Sequence, residues 1–294
     1  MRLFLFLIPG FLLLGSCQKE ITADALEDIG NDSTYIKKVI SLDSTKPPGL
    51  DTGFTAEYFY DAQKRLIRET ETEYGPGTAR YIYTDQYKYA GTDTLPNRII
   101  STNNQTADSA IIFLTYHNGF IVKDSIINYT GGIAEPFQIR YFSTNGSSGY
   151  LLKTYHFDYI TGLPVLTDSI TYTRQISDGN CINGTDKYWD KNSGTLIGTI
   201  SYQNIFDNKK NPFLKLHRWA LAYYENDILV LNYYGKNNVT SYSYIPNPVN
   251  FPGSGGLRNM SLAHTYRADD YPSETRVIAG VVDFNKILYQ YIKL

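Results

Sequence analysis

From Phe54 to the end of the chain, apolar and polar positions alternate in short runs separated by clusters of Asp, Asn, Gly and Lys. "AEYFYDAQKRLIRETETEY" is the clearest unit. Its tyrosines flank Phe59, Asp61 to Arg65 turn the chain, and Leu66 to Tyr74 returns. "LTYHNGFIVKDSIINY", "KTYHFDYITGLPVLTDSITYT", "KYWDKNSGTLIGTISYQ", "YQNIFDNKKNPFLKLH", "LAYYENDILVLNYYGKNNVTSYSY" and "HTYRADDYPSETRVIAG" repeat the plan. Period-two alternation between turn clusters predicts half-buried strands paired as hairpins. "TYIKKVIS" (Thr34–Ser41) predicts a first strand, "DSTKPPGLDTG" a loop, and "VVDFNKILYQYIKL" a closing strand or strand pair. The best helical alternative is a short helix within "NPFLKLHRWALAYYEN". The expected fold is therefore all-β, a long antiparallel meander of about sixteen to twenty strands. A sheet of that size twists and curls into a barrel-like or spiral form, or folds into two packed layers. The units differ in length, which argues against a strict solenoid or propeller.

The first residues follow another pattern. Met1-Arg2 is followed by a run from Leu3 to Leu14 that is nearly all apolar, broken by Pro9-Gly10. A membrane-spanning helix needs about twenty apolar residues. A charged start, a short apolar core and small residues after it predict a secretory signal peptide. Leu14-Gly15-Ser16-Cys17 resembles a bacterial lipobox. The resemblance implies a diacylglyceryl group on the Cys17 thiol, cleavage before Cys17 and acylation of the new amino terminus. Several acyl chains make a lasting anchor where one would not. Gln18-Lys19-Glu20 partly resembles the surface-export signal of Bacteroidota lipoproteins, so the cell surface and the periplasmic face of the outer membrane are both open. The expected organisation is a signal peptide over 1–16, a lipidated cysteine and flexible tether over 17–33, and one all-β domain over 34–294.

Composition adds two constraints. The formal net charge is −2, so no bulk attraction to nucleic acid is expected. With Cys17 lipidated, Cys181 has no partner for a disulfide, and it reads as a small, partly buried side chain. The 27 tyrosines suit strands whose faces are half wet.

"YFYDAQKRLIRE", "IFDNKKNPF", "YYGKNNVTSYSY" and "TYRADDYPSETRV" resemble units of the DUF4595-like lipoprotein families of the Bacteroidota, whose function is unknown. More distantly they resemble YD/RHS repeats, with the core Tyr-x-Tyr-Asp-x-x-Gly-Arg-Leu. Tyr58-Phe59-Tyr60-Asp61 and Arg65-Leu66 fit that core, and Lys64 stands where glycine is usual. The resemblance covers most of residues 54–294. It implies an all-β fold and outer-membrane attachment, and it carries over no catalytic residue.

The chemistry-bearing residues form no recognisable catalytic or metal motif. His117, His156, His217 and His264 have no metal-ligand spacing and read as hydrogen-bonded strand side chains. "GSGG" (253–256) lacks a following helix, so a phosphate cradle is not expected. Cys181 lies in what reads as a Gly/Asn loop and is not expected to act as a nucleophile. The loop from Asp178 to Asp186 is rich in oxygen ligands, with calcium as one reading and an Asx-rich turn as the other. No cofactor or metal is expected. Asp-Ser/Thr pairs followed by an apolar residue or Thr occur six times, where composition alone gives about one or two. They resemble the Bacteroidota O-glycosylation triplet and mark Ser33, Ser44, Thr94, Ser109, Ser125 and Ser169 as candidates, against the common use of such pairs at turns.

Together these features favour a membrane-anchored protein with a non-catalytic binding or scaffold role. The expected partners are outer-membrane lipid through Cys17 and a glycan or protein ligand, with no nucleic acid. Trp189, Trp219, Tyr223, Tyr224, Tyr233 and Tyr234 are the candidate binding aromatics, since such rings stack on sugars or receive a partner strand. One alternative is a carrier of lipid or another apolar ligand inside the curled sheet. Another is a glycan-active enzyme using two carboxylates.

Overall fold

The computed structural model describes residues 32–47, 51–75, 80–117, 120–144, 149–158, 160–216, 235–247, 259–280 and 282–294. The alternating segments form sixteen strands. They are β1 (Thr34–Asp43), β2 (Thr52–Tyr60), β3 (Leu66–Tyr74), β4 (Arg80–Lys88), β5 (Arg98–Asn103), β6 (Ser109–His117), β7 (Phe120–Thr130) and β8 (Ile133–Thr144). They continue as β9 (Gly149–Phe157), β10 (Pro164–Ser177), β11 (Asn180–Trp189), β12 (Leu196–Lys210), β13 (Asn237–Asn247), β14 (Asn259–Tyr266), β15 (Pro272–Ala279) and β16 (Val282–Lys293). Each strand pairs antiparallel with the next, and β16 returns to β1, so the meander closes into a barrel. Of the curled forms open to the sequence, this is the barrel. Among the described residues the helical part is the single 3-10 turn Leu214–Leu216.

The hairpins share a turn design. After β2, the Asp61 carboxylate accepts the backbone N–H groups of Gln63 and Arg65, each at 2.9 Å. Lys64 then takes φ 64°, in the left-handed region that costs a residue with Cβ about 1 kcal/mol. The turns after β9 and β11 repeat the device with Asp158 and Asp190 as acceptors, and glycine fills the left-handed place as Gly162 (φ 66°) and Gly194 (φ 67°).

Two sequence readings change. "IFDNKKNPF" is not a hairpin turn, because β12 runs through Asp207 to Lys210. Cys181 is not in a loop. Asp178-Gly179 alone makes the turn, and Cys181 lies buried in β11.

Register sorts the residues onto two faces. Ile36, Val39, Leu66, Tyr87, Ile99, Leu114 and Tyr289 point inward and are buried. All but Val39, at mid-strand, fall in the strand halves beside the β2–β3 and β4–β5 turns. The segment after β12 fills this end: Phe213 is 2% exposed, Leu216 is 3% exposed, and the Phe213 ring meets Tyr289 edge-on at 6.1 Å. Lys215 beside them donates to the carbonyls of Asp32 and Thr34. Asp32 also receives Lys210 at 2.8 Å, so the first described residues are tied to this segment.

The inner face of β7–β11 holds a small apolar cluster of Leu152, Ile170 and Tyr172 beside two ion pairs. Asp124 pairs with Arg140 at 2.6 Å, and Arg174 pairs with Asp186 at 2.6 Å. On β2–β5, Tyr58, Glu69, Asp85 and Ser101 lie side by side. Tyr87 Oη donates to Glu69 at 2.9 Å. Burial, then the Glu71 and Asp85 charges, push the Glu69 carboxyl up to about 8 from a usual 4.5. Between those values the folded chain holds a proton that the unfolded chain has released, so stability falls as pH rises through that window. Glu69→Gln should remove the dependence. The difference in unfolding free energy between pH 5 and pH 8.5, read by denaturant titration, should shrink by about 2–4 kcal/mol.

The outer face is mixed, with charged and hydroxyl side chains beside exposed apolar ones such as Phe113, Tyr141, Ile205 and Ile245. Lys38, Glu57, Lys153, Arg276 and Lys286 stand on it about half-way along their strands. Ser169, Thr171 and Thr173 on β10 and Ser241 and Ser243 on β13 share it.

Candidate functional site

The outer wall is concave where β16, β1, β2, β3, β4 and β5 pass one another, and the groove there measures about 1180 Å³. Its lining brings Lys37, Lys38, Arg65, Arg68, Lys88 and Arg98 together with one acidic side chain, Glu57. Two of the cations are neutralised locally. Lys38 meets Glu57 at 2.7 Å across β1 and β2. Arg65 binds the Asp61 carboxylate at 2.7 Å, donates to the carbonyls of Gly91 and Asp93, and covers the Tyr89 ring at 4.4 Å.

The other four form no ion pair among the described residues. Arg68 stands opposite Phe59 in the β2–β3 register and rests its guanidinium on that ring at 3.9 Å. On its other side it faces Gln86 of β4. Lys88, two residues further along β4, donates to Gln86 Oε1 at 3.0 Å. Lys88 and Arg98 are direct cross-strand partners on β4 and β5. Like charges opposite each other in a ladder destabilise it, by up to about 1 kcal/mol. The groove thus concentrates positive charge on a chain whose formal net charge is −2. Lys88 and Arg98 are half-buried while Lys37 and Arg68 are exposed, and half-buried cations on a low-dielectric wall focus their field into the cleft.

The sequence-derived candidates are dispersed. Trp189 ends β11, half-buried on the outer wall, with its indole N–H donating to Thr171 Oγ1 at 2.9 Å. That is the opposite side of the ring of strands from the groove. Trp219, Tyr223, Tyr224, Tyr233, Tyr234, His217 and Cys17 lie outside the described residues. Ser44 and Thr94 are exposed in turns, whereas Ser109, Ser125 and Ser169 stand half-buried in strands. Ser33 is half-buried, and its carbonyl accepts the Leu294 N–H at 3.0 Å.

The other chemistry-bearing groups have structural partners. His264 bridges Thr275 Oγ1 at 2.7 Å and the Val239 carbonyl at 2.8 Å, and burial lowers its pKa. His156 meets Gln138 at 2.7 Å. Burial pushes the Cys181 thiol up to about 11, away from thiolate chemistry. Of the two readings of the stretch from Asp178 to Asp186, the Asx turn is confined to Asp178-Gly179, and calcium finds no gathered oxygens, since Asp186 faces Arg174 from within β11. Among the described residues no group of three or more His, Cys, Asp or Glu side chains is placed to hold a metal ion. The groove itself was invisible in the sequence, because Lys38, Arg68, Lys88 and Arg98 lie on four strands and only register joins them.

No family model matches the chain, and no curated protein matches it. Among solved structures it is similar to a porin-like protein from Bacteroides vulgatus, with a TM-score of 0.50 and 12% identity, covering 89% of this chain and 100% of that one. A porin-like protein from Bacteroides uniformis gives a TM-score of 0.44 and 10% identity, covering 87% of this chain and 96% of that one. At this identity the first likeness bears on the fold, an antiparallel barrel.

Proposed function

We propose that this chain is a lipid-tethered, non-catalytic binding protein whose barrel stands in water beside the outer membrane. The tether is the acylated Cys17, and the binding face is the groove on the outer wall. The observation that carries this reading is the charge on the outer wall of the sheet. A barrel that spans a bilayer turns an apolar band outward and keeps its polar groups inside, and a Lys or Arg on its lipid face costs about 2–4 kcal/mol at mid-membrane. Here the inside holds ion pairs as well as apolar side chains, so the outer wall decides: Lys38, Lys153, Arg276 and Lys286 stand on it about half-way along their strands, at the depth where a bilayer would be driest. Cations at that height are suited to water, and the acyl chains supply membrane attachment.

Full-length chain expressed in a lipoprotein-processing bacterium should incorporate labelled palmitate and need detergent for extraction. The mature chain, residues 17–294 with Cys17→Ser, should purify without detergent and unfold cooperatively with a strand-type circular dichroism spectrum. A Cys17→Ser chain that folds only in detergent or lipid would place the barrel in the bilayer and end this reading.

A further inference from the structure

The groove rests on the proposed binding role, and its chemistry narrows the ligand. We infer that it binds a linear polysaccharide bearing carboxylate or sulfate groups, seated across β1 to β5 with its anions on Arg68, Lys88 and Arg98. Three observations support this. First, Lys88 and Arg98 are placed side by side across a ladder with no acid paired to either among the described residues. An anion between them relieves that repulsion and accepts charge-assisted hydrogen bonds from both. Second, the groove carries Gln86 beside them on β4 and Gln290 at its far edge on β16, whose amides can donate to and accept from sugar hydroxyls. Third, the groove of about 1180 Å³ crosses several strands, each about 4.8 Å from the next, so it suits several sugar units in a row.

The same geometry disfavours the other polyanions. A bilayer surface is flat and does not enter a concave wall. Single-stranded nucleic acid depends on open aromatic faces for its bases. The central ring here, Phe59, already has the Arg68 guanidinium on its face. An acidic polypeptide offers carboxylates but no array of hydroxyls for the two glutamines.

The barrel closes on residues 34–293, so the mature chain carrying Cys17→Ser retains every strand. It would be run in native gels containing polygalacturonate, a sulfated polysaccharide or neutral dextran, at two salt concentrations. Retardation by at least one charged polymer, absent with dextran and weakened by salt, is expected. Lys88→Glu/Arg98→Glu should weaken it about tenfold or more, since two charge-assisted contacts are replaced by repulsion. Lys153→Glu/Lys187→Glu changes the charge equally on the outer wall of β9 and β11 and should leave retardation unchanged. Equal loss in both double variants would reduce the effect to net charge and overturn the assignment. Equal or stronger binding of oligodeoxythymidylate, polyglutamate or phosphatidylglycerol vesicles would overturn it in favour of that polymer or surface. No retardation by any charged polysaccharide also overturns it, and a soluble, folded chain in that experiment leaves the tethered-barrel reading standing.

Discussion

Replacing Arg140 by methionine is expected to cost about 3–5 kcal/mol, because it strands a buried carboxylate. Asp124 has a side chain that is 0% exposed. It faces Leu114 on one side and Arg140 on the other in the β6–β7–β8 register. Arg140 holds it in a fork, with Nε 3.0 Å and Nη2 2.6 Å from Oδ2. Burial raises the Asp124 pKa even with that partner present, so desolvation already outweighs the pairing. Without the guanidinium the carboxyl must hold a proton or carry an uncompensated charge. A folded-state pKa raised above the unfolded value means stability lost as pH rises. The deficit of Arg140→Met should therefore be smaller at pH 4 than at pH 7. The double variant Asp124→Leu/Arg140→Met removes both charges and should return to within about 1–2 kcal/mol of the parent, since a buried ion pair adds little net stability over apolar side chains. Urea titrations of the three chains at the two pH values decide it. A single-variant cost below about 1 kcal/mol would mean that water reaches Asp124.

Asp124 also shows which parts of the structure a sequence exposes. In "KDSII" it stood out only as the first member of an Asp-Ser pair. Its partner lies sixteen residues away and meets it only through the β7–β8 register. The groove cations share that property, since nothing local marks Arg68, Lys88 and Arg98 as neighbours. The strands were legible for the opposite reason. Period-two alternation and the Asp turns at Asp61, Asp158 and Asp190 are local, and the turn hydrogen bonds stay within four residues. Local cues misled at Asp207–Lys210, a cluster that looks like a turn. There the Asp207 carboxylate accepts the backbone N–H of Asn238 at 3.1 Å and the Tyr266 hydroxyl, so neighbouring strands satisfy the polar group and β12 continues.

Where β12 does end, the chain turns inward, and Phe213→Ala should cost about 3–5 kcal/mol. Asn211 sets the turn. Its Oδ1 accepts the Phe213 N–H at 2.9 Å, and its Nδ2 donates to the Gly235 carbonyl at 2.8 Å, pinning the two described ends of this excursion together. Phe213 then fills the barrel end against Tyr289, whose hydroxyl donates to Thr275 Oγ1 at 3.1 Å. A sixteen-strand ring is too wide for opposite walls to meet by themselves, because diameter grows with strand number. A side chain delivered from a connecting segment supplies the missing volume. Loss of the ring leaves a cavity in a part of the interior that cannot collapse without moving β16. The effect should extend to the β16–β1 seam, since Lys215, two residues on, holds the carbonyls of Asp32 and Thr34. Amide hydrogen exchange along Thr34–Asp43 should accelerate in Phe213→Ala more than exchange along β6–β7, while Phe213→Leu should cost less than half as much and leave the seam protected. Uniform acceleration across all strands would show that Phe213 supports only global stability and that the seam closes without it.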